Sequence, residues 1–86
     1  MASYAVELTP AADRQLDQLA SPARTVLAAA LAALASNPRP PGCTKLAGKT
    51  SLWRVRVLQF RIIYTVVDRR LLVVVLKVGD RKDVYR

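Results

Sequence analysis

Trp53-Arg54-Val55-Arg56 and Phe60-Arg61 set three arginines inside alternating hydrophobic sequence, and Asp80-Arg81 adds another just before Tyr85. Strands usually reserve such places for β-branched and aromatic residues, so arginine there asks for a ligand. A guanidinium is planar, always charged and presents a fork of donors that matches an oxyanion, and a phosphodiester fits. The charge distribution agrees. Residues 1–44 carry Arg14, Arg24 and Arg39 against Glu7, Asp13 and Asp17. Residues 45–86 carry eleven basic residues against Asp68, Asp80 and Asp83, so the whole net charge of +8 lies in the second half. A pI of about 10.6 in a folded domain points to polyanions, nucleic acid before anionic membrane. No apolar run reaches the ~20 residues of a spanning helix, and the basic residues follow strand pattern, so no membrane partner is expected.

Composition removes other chemistries. Cys43 is the single cysteine and there is no histidine. No internal disulfide or metal cluster can be built, no cofactor is expected, and imidazole acid–base catalysis is excluded. The N-terminus lacks a basic region followed by an apolar core, so no signal peptide is read and a cytoplasmic protein is expected. At 86 residues the chain makes one domain, 1–86, and 52% hydrophobic residues suffice for a core.

These arginines need elements to hold them. Ser3 to Leu8 reads as a short strand. Thr9-Pro10 is a helix start, an N-cap residue with proline in the first helical position, and Asp13 in the first turn suits the helix dipole. Ala12, Leu16 and Leu19 form its apolar stripe. Ser21-Pro22 repeats the start signal. The second helix shows a broad apolar face of Val26, Leu27, Ala30, Leu31 and Leu34 and stops at Asn37-Pro38. Asn37 to Thr44 is an extended linker rich in proline, and Lys45 to Lys49 continues as a basic loop. Three strands follow, about Ser51 to Leu58, Phe60 to Val67 and Leu71 to Val78. The last is almost continuously aliphatic, the pattern of a central strand buried on both faces.

Alternation assigns the faces. A two-residue turn at Leu58-Gln59 pairs Val57 with Phe60 and Arg56 with Arg61, and paired residues share a face. Arg54, Arg56 and Arg61 then lie on one side, and Trp53, Val55, Phe60, Ile62 and Tyr64 on the other, with Trp53 and Tyr64 read as core. A three-residue turn at Asp68-Arg69-Arg70 pairs Arg61 with Lys77, which joins the basic face, and Arg81 leaves the strand nearby. The helical hairpin covers the apolar face. The expected fold is α+β, a two-layer β-α-α-β-β-β domain with a small, mainly antiparallel sheet whose basic face is open. The first strand fits either sheet edge. Leu58-Gln59 lacks the Asn, Asp or Gly that two-residue hairpins prefer, and a slip of one residue would scatter the arginines. Three close arginines also repel one another, which destabilises the protein without its ligand.

At this point the residues resemble a known family. Lys45-Leu46-x-Gly48-Lys49, Leu52-Trp53-Arg54-Val55-Arg56-Val57, Phe60-Arg61-Ile62-Ile63-Tyr64 and Val78-Gly79-Asp80-Arg81-Lys82-Asp83-Val84-Tyr85-Arg86 look like the RelE branch of the RelE/ParE toxins of bacterial type II toxin–antitoxin pairs. The Thr-Pro-x-Ala helix start belongs to the same likeness, which covers nearly the whole chain. The resemblance implies a RelE-like fold, a ribosome-dependent endoribonuclease that cuts mRNA in the A site, and a cognate RelB-like antitoxin that wraps it. Operator DNA would be met only through the antitoxin complex. Carried over by motif, the catalytic candidates are Arg56, Arg61, Arg81 and Tyr85. Arg54, Lys45, Lys49 and Lys77 are candidates for RNA or phosphate binding.

Cleavage by the RNA's own 2′-hydroxyl needs a proton removed, a phosphorane stabilised and a leaving 5′-oxygen neutralised. Arg56 and Arg61 suit the second task and Arg81 the third, while Tyr85 suits stacking on a base. Relatives carry lysine or a carboxylate as base where this chain has Arg54 and Arg56, and arginine keeps its proton above pH ~12. Two other readings share the fold: a ParE-like inhibitor of DNA gyrase, and a non-catalytic member that binds nucleic acid or antitoxin.

Overall fold

The structure, a computed structural model, describes residues 3–46 and 51–80. Among the described residues the α-helices and strands are, in chain order, β1 (Ala5–Leu8), α1 (Pro10–Asp17), α2 (Ser21–Ser36), β2 (Thr44–Lys45), β3 (Leu52–Val57), β4 (Phe60–Val67) and β5 (Leu72–Asp80). The five strands form one sheet in the order β1-β5-β4-β3-β2. β1 runs parallel to β5 and the other three pairings are antiparallel, which places the first strand at the β5 edge. The two-residue β2 at the opposite edge falls partly in the stretch read as a basic loop.

Helix α1 begins as its sequence dictates. Thr9 is extended, Pro10 opens the helix, and the Ala12 amide donates to the Thr9 hydroxyl at 3.2 Å. Helix α2 differs from expectation. Its N-cap is Ala20 without a side-chain bond, and Ser21 already lies inside the first turn. Asn37 ends α2 in an extended conformation because Pro38 follows it. Leu27, Leu31 and Leu34 of α2 and Ala12 of α1 pack on Val55, Phe60, Ile62, Tyr64, Val73, Val75 and Val78 from the sheet. Val26, expected on this buried face, is exposed instead. Buried Tyr64 donates its hydroxyl to the Pro38 carbonyl at 2.8 Å, so the chain leaving α2 is tied to the core. Burial holds that phenol well above its usual pKa range.

The β3–β4 hairpin keeps the register read from the sequence, with Val57 opposite Phe60 and Arg56 opposite Arg61. The β4–β5 pairing does not. Asp68–Arg70 form a single 3₁₀ turn, and Leu71 extends the connection by adopting a left-handed conformation, so Val67 faces Leu72. A second irregularity follows: Tyr64 faces Val75 but Ile63 faces Lys77, which leaves Leu76 as a bulge. The extra turn residue and the bulge offset each other in facing. Lys77 therefore reaches the expected face, but opposite Ile63, and Gly79 stands opposite Arg61. α1 supports the bulge where β1 has ended. The Thr9 hydroxyl donates to the Leu76 carbonyl at 3.2 Å, and the Val78 amide donates to Gln15 Oε1 at 2.8 Å. β5 is an inner strand, yet only alternate residues are fully buried; β4, buried continuously from Phe60 to Tyr64, is the central strand.

Candidate nucleic-acid interface

On the sheet face away from the helices, register builds two adjacent rows. One runs Thr44, Arg54, Ile63, Lys77 across β2 to β5; the next runs Arg56, Arg61, Gly79. Arg54, Arg56 and Arg61 thus share one patch, as alternation required. The face is not open at its centre, contrary to expectation: Arg61 is 7% exposed and Ile63 6%. The arginines line a groove of about 310 Å³ together with Pro41, Gly42, Thr44 and Val55. Arg61 sits buried, Arg54 is half-buried and Arg56 is exposed. A phosphate entering here meets guanidinium groups at graded depths, in surroundings where charge is poorly screened.

The far wall is a turn whose chemistry was present in the linker but not read from it. The Cys43 amide donates to the Pro40 carbonyl at 3.0 Å, enclosing Pro41-Gly42. Gly42 has φ +90, the conformation a type II turn needs at its third residue, with proline favoured before it. A side chain at Gly42 would meet nothing within 4 Å, so the backbone angle alone requires glycine. Upstream, Arg39 makes a bidentate ion pair with Asp68, at 2.7 and 3.1 Å, and Tyr4 donates its hydroxyl to the same carboxylate at 2.7 Å. The Arg39 guanidinium lies 5.2 Å from the centre of the Trp53 ring. These hydrogen bonds, Arg39 first, hold the Asp68 carboxyl down at about 2. Residues 38–43 are therefore pinned at Pro38 and Arg39 before they form the wall.

The other sequence candidates separate. Lys45 pairs with Trp53 and so lies on the opposite face from the arginines, with its ammonium 6.0 Å from the indole centre. The basic-loop reading gave it no face, and the short β2 strand decides it. Lys77 shares the arginine face but does not line the groove; it borders a second groove of about 520 Å³ at the end of α1, with Leu19, Phe60 and Asp80. Lys49, Arg81 and Tyr85 lie outside the described residues. Among the described residues, no carboxylate or lysine lines the arginine groove. Asp80 pairs with Phe60, whose row faces the helices, and Asp68 is engaged by Arg39. Among the described residues no group of three or more His, Cys, Asp or Glu could hold a metal ion, and no helix is long and apolar enough to cross a membrane. Arg39 and the Pro41-Gly42 turn were missed by sequence reasoning. The available signals were an arginine between two prolines and a Pro-Gly pair.

Comparison with protein families matches residues 6–85 to the ParE toxin of type II toxin–antitoxin systems, parDE. Comparison with curated proteins found no match. Among solved structures, the toxin–antitoxin complex RelBE2 from Mycobacterium tuberculosis is similar, with 25% identity, a TM-score of 0.81, and coverage of 92% of this chain and 99% of that one. The isolated RelE toxin of E. coli matches at 26% identity and TM-score 0.77, over 98% of this chain and 92% of that chain. The archaeal RelE–RelB complex from Pyrococcus horikoshii, at 23% identity, shares the fold with a TM-score of 0.82, over 94% and 98% of the two chains.

Proposed function

The chain belongs to the RelE/ParE superfamily, the toxins of type II toxin–antitoxin systems, and we propose that it is a ribosome-dependent mRNA interferase of the RelE kind. One observation carries this reading: Arg54, Arg56 and Arg61 come from two strands to line a single groove, with Arg61 buried at 7% exposure. Three guanidinium groups converging on one groove present forked donors that match phosphate oxygens, so such a site favours binding of a phosphate.

In the proposed reaction the 2′-oxygen of a nucleotide in the A site attacks the adjacent phosphorus. The bond to the 5′-oxygen breaks, leaving a 2′,3′-cyclic phosphate and a 5′-hydroxyl. Arg61 and Arg56 neutralise the charge that builds on the phosphorane oxygens. Arg81 neutralises or protonates the leaving oxygen, and Tyr85 stacks on a base, roles that rest on the motif. Arg56 lowers the pKa of the hydroxyl electrostatically, and its proton goes to an acceptor outside the groove, water or a ribosomal group, because arginine does not serve as a base. The ribosome contributes by holding the message in line. Lys45 and Lys49 are proposed as contacts to ribosomal RNA, Lys45 from the opposite face. A RelB-like acidic antitoxin is the proposed protein partner, since it offsets the +8 charge.

The family match favours a second reading, a ParE-like gyrase inhibitor, which needs no cleavage chemistry. Primer extension on mRNA from programmed ribosomes separates the two. Cleavage within the A-site codon, with a 2′,3′-cyclic phosphate end, supports the interferase. An intact message together with lost gyrase supercoiling overturns it.

A further inference from the structure

Leu58 carries two costs that its position does not require. It is 66% exposed, the most exposed large hydrophobic residue described, and its φ is +57. A two-residue hairpin accepts asparagine or glycine at positive φ without strain, and either would also remove the apolar surface. Leu71 makes the contrast. It too has a positive φ, +49, but it is 41% exposed and closes the 3₁₀ turn by donating its amide to the Asp68 carbonyl at 3.1 Å. Leu71 has a local structural role at the far end of β4. Leu58 instead stands at the tip of the β3–β4 hairpin, immediately beyond the Val57–Phe60 pair, and the next row inward is Arg56–Arg61. Its Cα is within about 7 Å of that of Arg56, two residues of extended chain.

We propose that Leu58 is a wedge that enters the base stack of an RNA strand whose phosphate is held by Arg56 and Arg61. Exposed Arg56 draws a polyanion to this end of the sheet, and the bases of a single strand on those arginines lie within reach of the hairpin tip. Inserted apolar side chains unstack neighbouring bases at modest cost and leave the strand splayed. Here that would turn a stacked codon toward the in-line geometry that 2′-oxygen attack needs. Strain held at such a tip is the kind that persists where function uses it. The proposal rests on the interferase reading and adds a residue outside the arginine groove to it.

The test uses ribosomes programmed with mRNA that carries 2-aminopurine in the A-site codon and a 2′-O-methyl group at the attacking nucleotide. The methyl group blocks cleavage, and unstacking raises the fluorescence. Wild-type protein should raise the signal several-fold. Leu58→Asn and Leu58→Gly should lose most of that rise while unfolding at higher urea concentration than wild type, because the strain is relieved. Leu71→Asn should keep the full signal. A gain of stability with a loss of unstacking is a combination that a purely structural residue does not give. If wild type cuts unmodified message but Leu58→Asn retains the fluorescence, the wedge is overturned and the interferase stands. Retained fluorescence with weakened binding of an acidic antitoxin would likewise overturn it and assign Leu58 to protein recognition. If wild type neither cuts nor unstacks, the interferase reading falls and the wedge with it.

Discussion

Asp68 shows how one carboxylate far from the groove shapes it. Its two oxygens take both arms of Arg39 and the Tyr4 hydroxyl, so it anchors the start of the linker that forms the groove wall. These bonds lower its pKa from 3.8 to about 2 in the folded state. A lowered carboxylate pKa stabilises the fold above the unfolded value, and that contribution is lost as pH falls through the folded one. At pH 7 Asp68→Asn should therefore unfold at lower urea concentration than wild type. The gap between the two midpoints should close between about pH 4 and pH 2, read by circular dichroism; a gap constant over that range would contradict the clamp. Arg54, Arg56 and Arg61 were legible because strand alternation depends only on neighbours in sequence. Arg39 was not, because its partner lies 29 residues away and on another element. The face of Lys45 was not legible either, because it is set by a two-residue pairing too short to announce itself.

The elements show where local pattern is sufficient and where tertiary contacts overrule it. The Thr9-Pro10 start and the Asn37-Pro38 stop are local chemistry, and both helix ends fall where they indicate. The β3–β4 register held despite poor turn residues, because a one-residue slip would turn the arginines of one strand toward the helices and its apolar residues to the other face. The β5 register could not be read. Its bulge at Leu76 is supported by Thr9 and Gln15, which lie 67 and 63 residues from their partners. Thr9 serves twice, capping α1 and binding the bulged strand. Thr9→Ala should therefore lose about 1–2 kcal/mol in urea unfolding, at the upper end for an N-cap. A loss within about 0.5 kcal/mol would mean that the Leu76 contact contributes nothing.

For the molecule as a whole, the division of labour follows the two sheet faces. Helices cover one with an apolar core; the other gathers cations around a groove fenced by the Pro40–Cys43 turn. Bulk charge draws a polyanion, but only geometry places guanidinium groups on one phosphate. Arg61 and Arg70 separate these two effects, since each removal costs one positive charge. Arg61 is buried in the groove, and Arg70 is exposed in the turn at the other end of β4. The deciding measurement is the single-turnover rate of mRNA cleavage on programmed ribosomes. Arg61→Ala should slow it by about 10²–10³-fold, the range for loss of one charge-stabilising donor, and Arg70→Ala should stay within about twofold of wild type. Equal losses from the two variants, or a wild-type protein that leaves the message intact, would contradict the account.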